Sequence, residues 1–179
     1  MYEQKKYDQA VVLLSDAVKL NPNSVRIVFL NVFSLMQLGR FQESLAGLLS
    51  IKNAGSYKAQ RDILTANCYM KLKQYDEAVT IFQEYLERFP DDIHLILLLG
   101  NVFYEQQKYD LAIETYKKAP ILKRNIDDPL VAIHYQLGLS YKAINDKKNA
   151  IKHFNKVYSH DMRYKDIVTQ INELASAKM

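Results

Sequence analysis

The segment Tyr7-Asp8-Gln9-Ala10 returns as Phe41-Gln42-Glu43-Ser44, as Tyr75-Asp76-Glu77-Ala78 and as Tyr109-Asp110-Leu111-Ala112, each time 34 residues further on. The residues before it recur too, since Tyr2-Glu3-Gln4-Lys5-Lys6 nearly copies Tyr104-Glu105-Gln106-Gln107-Lys108. A fixed period of this length constrains the fold strongly. One unit of it is too small to bury an apolar face alone, so the chain has to stack its units into an array.

Within a period the apolar residues follow helical spacing. From Tyr75 to Phe89 the stripe Tyr75, Ala78, Val79, Phe82, Tyr85, Leu86 and Phe89 places apolar residues three or four apart along one face, which predicts a one-sided helix. Asp91 or Asp92 after Pro90, and Asn23 or Ser24 after Pro22, are placed to accept hydrogen bonds from the free amides of the next helix. Each period is therefore two helices. Only five Gly and four Pro occur in 179 residues, so the elements are long and the turns tight.

At this point the residues resemble the tetratricopeptide repeat, whose unit of 34 residues is a pair of antiparallel helices, A and B. The family's small and aromatic packing positions are matched by Leu99, Gly100, Phe103, Ala112, Tyr116 and Ala119, by Leu137, Gly138, Tyr141, Ala150 and Phe154, and by Ala66, Tyr69, Ala78, Phe82 and Pro90. The resemblance implies an all-α, right-handed superhelical solenoid. It divides the chain into a half repeat at 1–22, full repeats at 23–56, 57–90, 91–126 and 127–160, and a capping helix in 161–179. The second repeat departs most: Ser44 replaces the usual Ala, Val32 stands where a smaller residue is expected, and Ala54-Gly55-Ser56 turns the chain without a Pro.

From Ala112 to Ala150 the spacing is 38, so four extra residues lie in the connection around Ile121 to Asp128. Pro129 restarts a helix with Asp128 as the expected cap. Ile121 and Leu122 either tuck onto the core or form a secondary contact site. The stripe Tyr164, Ile167, Val168, Ile171 and Leu174 fits the capping helix that array ends need. At the other end the chain begins part-way through the first repeat, with its B helix from about Tyr7, and reads as a piece of a longer protein. On that helix Val11, Leu14 and Val18 form a stripe open to end-to-end stacking.

In this family the A helices usually line a concave face, so the resemblance implies which side chains meet a partner. They are Arg26, Phe29, Leu30, Phe33, Met36 and Gln37 from the second repeat, then Gln60, Ile63, Leu64, Asn67, Met70 and Lys71 from the third. The fourth contributes His94, Leu97, Leu98, Asn101, Tyr104 and Glu105, and the fifth Tyr135, Gln136, Leu139 and Lys142. The sequence supports this independently at Ile93 to Leu99, which is apolar nearly all round, so Leu97 and Leu98 are covered either by neighbouring A helices or by a partner. Family members that grip a chaperone's terminal carboxylate use Lys, Arg and Asn. Here the cationic positions carry Phe29, Ile63 and Leu98, which disfavours that role. Asn67 and Asn101 either bond a partner's backbone or order the helix pair.

Charge and reactive residues narrow the function further. The net charge of +4 is split evenly, Lys and Arg exceeding Asp and Glu by two in each half, so no phosphate track stands out and nucleic acid is not an expected partner. The lone Cys68 has no disulfide partner, and His94, His134, His153 and His160 lack metal-ligand spacing, so no metal or cofactor is expected. Asp91-Asp92 and Asp127-Asp128 read as caps rather than paired catalytic acids. Nothing resembles a phosphate-cradling loop or a nucleophile motif, so the chain is expected not to be an enzyme. Met1 is followed by a charged helix and the longest apolar run is far short of a bilayer span, which makes the chain as given soluble and leaves its compartment open. Two expectations remain: a scaffold that binds a helical or extended partner segment in an apolar groove, or a structural subunit that self-associates or docks permanently through its ends.

Overall fold

A computed structural model describes residues 2–123 and 127–176. Residues 124–126 of the expected connection, Met1 and the last three residues of the expected capping segment lie outside these. Among the described residues there are ten α-helices, one 3-10 turn and no strand. The chain forms two compact units, residues 1–81 and 82–179. Helix α5 (Tyr75–Arg88) runs across the boundary.

The first unit holds α1 (Tyr2–Leu20), α2 (Val25–Gln37), α3 (Phe41–Ser50), a 3-10 turn at Gly55–Tyr57 and α4 (Lys58–Lys71). α1 packs on α2, α2 on α3 and α3 on α4. Between them Val28, Val32, Leu45, Leu48, Ile51, Ala54 and Cys68 are buried. Each fully buried large aliphatic contributes about 1.5–3 kcal/mol. Ser44 fits this core because its hydroxyl donates to the Arg40 carbonyl at 3.0 Å, leaving no orphan donor. Burial pushes the Cys68 thiol up to about 11, so it is a packing residue and not a nucleophile at neutral pH.

The second unit contains α6 (Ile93–Glu105), α7 (Tyr109–Tyr116), α8 (Asp128–Ala143), α9 (Lys147–His160) and α10 (Ile167–Ser176), with the end of α5. α6 pairs with α7, α8 with α9, and α10 packs on α9. This core is larger and aromatic. Tyr116 and Phe154 are wholly buried, and each lies against a glycine of the partner helix. A Cβ at Gly100 would stand 2.1 Å from the Tyr116 ring, and one at Gly138 would stand 2.3 Å from the Phe154 ring. The missing side chain is what lets each helix pair close.

The turn between paired helices recurs as faithfully as the core. Gly39, Lys73, Gln107 and Asn145 all have φ between 60° and 71°. In each case the next amide bonds back across the turn, as from Arg40 to the Leu35 carbonyl and from Lys108 to the Phe103 carbonyl, both at 2.9 Å. This left-handed helix end favours Gly or Asn. Lys73 and Gln107 hold it at a cost of about 1 kcal/mol.

Three expectations are corrected here. The cap of α8 is Asp127, whose carboxylate accepts from the Leu130 amide, while Asp128 is the first helical residue. Neither Asn23 nor Ser24 caps α2: Ser24 occupies the cap position without a side-chain bond, whereas Asp92 caps α6 by accepting from His94 and Leu95. On α1, which is continuous from Tyr2, Val11 is buried, Leu14 is half-buried and Val18 packs on the first core, because α2 lies on that face. The apolar side chains left exposed on α1 are instead Val12, Leu13 and Leu20.

Candidate partner-binding surface

The residues expected to meet a partner divide sharply by exposure. On α2 the set Arg26, Leu30, Phe33 and Gln37 has steps of four, three and four, so all four lie on one helix face, and all four are exposed. Leu30 is 51% and Phe33 54% exposed, although Phe33 also meets the edge of Tyr7 at 6.3 Å. Phe29 and Met36 are one turn round. They pack on the first core, with Phe29 edge-on to Tyr57 at 5.8 Å. On α4 Gln60 and Lys71 are exposed, Ile63, Asn67 and Met70 are half-buried, and Leu64 packs on the core.

α6 repeats the pattern with a more covered face. His94 and Glu105 are exposed, Leu98 and Asn101 are half-buried, and Leu97 and Tyr104 pack on the second core. Asn101 is already engaged within the fold. Its side-chain oxygen accepts from the Tyr116 hydroxyl at 2.7 Å, so it orders the α6–α7 pair. Burial raises the Tyr116 phenol well above its usual range, so it remains a donor at any physiological pH.

α8 differs from the expectation. Tyr135 is 6% exposed, enclosed by Phe154 and Tyr164, with its hydroxyl donating to Asp166. Lys142 donates to Gln170 and Glu173 of α10. Both side chains are thus withdrawn from any partner surface, because the C-terminal segment occupies the position that another repeat's helix would. Leu139 packs on the core and Gln136 is half-buried with its side-chain oxygen unpartnered.

The spacing of the histidines concealed a contact. His134 of α8 and His153 of α9 meet with their Nδ1 atoms 2.8 Å apart, both buried, with Tyr141 stacked on the His153 ring at 5.6 Å. One ring must therefore donate and the other accept, so the pair is neutral. Burial lowers both pKa values to about 4. For His134 the next contribution is from Lys156, and for His153 from His134 and then Lys152. The signal was present in the period. Counting back by 38 and then by multiples of 34, His134 occupies the position of Ile96, Asp62 and Val28, and His153 that of Thr115, Ile81 and Gly47. Among the described residues no group of three or more His, Cys, Asp or Glu is placed to hold a metal.

Short paired helices, two of the pairs closed by Gly–aromatic contacts, with an exposed stripe on one A helix, have the build of a repeat scaffold for protein interaction. Two sequence profiles described as tetratricopeptide repeat match the chain, one over residues 1–56 and 69–133 and the other over 131–160. The chain belongs to the tetratricopeptide repeat family, and its fold is an all-α solenoid of that type. Solved structures agree. The thermophilic TPR protein TTC0263 of Thermus thermophilus is 17% identical, with a TM-score of 0.70 over 97% of this chain and 93% of that one. MamA from residue 41 onward, from Desulfovibrio magneticus RS-1, is 20% identical with a TM-score of 0.71, covering 89% and 88%. The C-terminal part of a TPR repeat-containing protein of Cytophaga hutchinsonii is 18% identical with a TM-score of 0.75, covering 99% and 68%. No curated protein matches in sequence. Repeats of this family are typically non-catalytic scaffolds, which is consistent with a chain that is not an enzyme. No helix among the described residues is long and apolar enough to cross a membrane.

Proposed function

We propose that this chain holds a partner protein through the exposed A-helix faces, with Leu30 and Phe33 of α2 as apolar anchors and Arg26 and Gln37 as their polar flanks. The observation that carries this reading is the alignment of the four on one helix face while their neighbours Phe29 and Met36 are engaged in the core. On α4 Gln60, Ile63, Asn67, Met70 and Lys71 extend the contact, and on α6 His94, Leu98 and Glu105 offer a smaller one. Two half-exposed anchors of this size give about 2–4 kcal/mol on full burial, so further contacts are needed for micromolar affinity after the cost of association. An apolar i, i+3/i+4 partner helix or an extended segment with alternate apolar residues meets that requirement.

A second reading has its own observation. Val12, Leu13 and Leu20 of α1 are 64%, 72% and 88% exposed, and suit end-to-end association with another copy or subunit. A photo-crosslinking residue at Phe33 and, separately, one at Val12 decide between them. Crosslinks from position 33 to a different protein support the scaffold reading. Crosslinks from position 12 to a second copy, with none from position 33, support the structural subunit.

A further inference from the structure

The pair α8–α9 carries an expensive feature that packing does not require. Where two of the corresponding helices place the buried apolar Val28 and Ile96, and a third places the half-buried, ion-paired Asp62, this pair places His134, and His153 opposes it. Burying two imidazoles in place of aliphatic bulk forfeits stability unless every polar atom is satisfied. One atom is not. His134 is 2% exposed and its Nε2 has no hydrogen-bond partner among the described residues, while the Ile121 backbone lies close enough to the ring to favour its protonation.

The two rings line a cavity of about 400 Å³ beside the connection that is four residues longer than its counterparts. Lys117 at the end of α7 and Lys152 and Lys156 on α9 surround it, and no carboxylate lines it among the described residues. All three lysines are close enough to disfavour protonation of His153. Lys156 is held in place by donating to the Lys123 carbonyl at 2.6 Å, and Lys117 lies over the Tyr141 ring at 5.5 Å. At the rim Leu122 is 89% exposed, whereas Ile121 beside it packs on the core. The cavity therefore joins a concentrated positive field, an unused buried imidazole nitrogen and one exposed aliphatic side chain.

We infer that this cavity is a second docking point, which takes an acidic segment of a partner protein by a carboxylate set among Lys117, Lys152 and Lys156 with an aliphatic neighbour against Leu122. This rests on the scaffold reading but uses a different face. Lysines present point charges rather than the planar fork that favours phosphate, and three of them around one open-mouthed cavity are too few and too local for a nucleic-acid backbone. The imidazole pair adds a donor to the carboxylate, since whichever ring accepts at Nδ1 carries its own proton on Nε2.

The test uses the full chain and a fluorescent peptide of Glu and Gly with a single Leu, which lacks the alternate apolar residues suited to the α2 face, followed by anisotropy, with the ring protons of both histidines followed by NMR. Binding is expected, with shifts at both rings, and is expected to weaken by about tenfold in Lys117→Gln/Lys152→Gln. These two side chains are exposed, so folding is expected to be preserved. Leu30→Glu/Phe33→Glu is expected to bind the peptide like the parent, which separates this inference from the fate of the α2 surface. Inorganic phosphate or a single-stranded oligonucleotide competing as well as the peptide overturns the proposal. So does peptide binding that is indifferent to the lysine substitutions, or the absence of ring shifts.

Discussion

The pairs α2–α3 and α8–α9 occupy the same place in the repeat and fill it by opposite means. In α8–α9 a glycine, Gly138, faces a full aromatic, Phe154. In α2–α3 the bulk has changed sides. Val32 replaces the glycine, the smaller Leu48 replaces the aromatic, and both are wholly buried. Gly47 then supplies the room that Val32 took, since a Cβ there would meet the Val32 methyl at 3.1 Å. The lesson is that the repeat keeps summed volume between its helices rather than residue identity. The exchange of Ile96 or Val28 for His134 does not follow that rule, because it changes polarity rather than volume.

The largest expected effect comes from adding one methyl group to each pair. Gly138→Ala drives a Cβ into the Phe154 ring, which has no room to move, and is expected to cost about 3 kcal/mol, read as a fall in the urea midpoint. Gly100→Ala against Tyr116 is expected to match it. Gly47→Ala meets only a methyl at the edge of contact and gains about 1 kcal/mol of helix propensity, so it is expected to be near neutral. Equal losses at Gly138 and Gly47 would break the comparison.

Acid gives the next effect. Unfolded histidine takes a proton near its ordinary 6.5, but the buried pair does so only near 4, with Lys117 and Lys152 and Lys156 facing it from α7 and α9. Between those values the unfolded chain holds more protons, so stability is full above pH 6.5 and falls as pH drops toward 4, by on the order of 3 kcal/mol. Urea titrations across this range are expected to show the slope. His134→Ile/His153→Thr, which restores the residues of the α6–α7 pair, is expected to flatten it and to be at least as stable at pH 7. The smallest effect is at the turns. Gln107→Gly relieves a left-handed residue and is expected to stabilise by up to about 1 kcal/mol, whereas Gly39 already has that relief and Gly39→Gln is expected to lose a similar amount.

The fold was legible because a 34-residue period is a global constraint repeated several times in one chain. Tyr116 with Gly100 and Phe154 with Gly138 announce it by type and spacing. The surface was legible only in part. Steps of three and four put Arg26, Leu30, Phe33 and Gln37 on one face, but they do not tell that Phe29 faces Tyr57 or that α10 covers Tyr135. Those outcomes depend on which neighbour lies alongside, and the last helix has no period to read. The α1 stripe was misassigned for the same reason. The Val11, Leu14 and Val18 face is as apolar as the sequence suggests, and α2 is what covers it. His134 and His153 were invisible as a pair because nineteen residues of separation match no local motif, although comparing equivalent repeat positions exposes them.

The claim that this chain works by holding a partner on its A-helix face is tested most directly by crosslinking capture from the native cell. The parent would be compared with Leu30→Glu/Phe33→Glu, after both are shown to have equal helicity and melting. The account predicts a protein captured by the parent and lost from the variant. The same protein captured equally by both would contradict it.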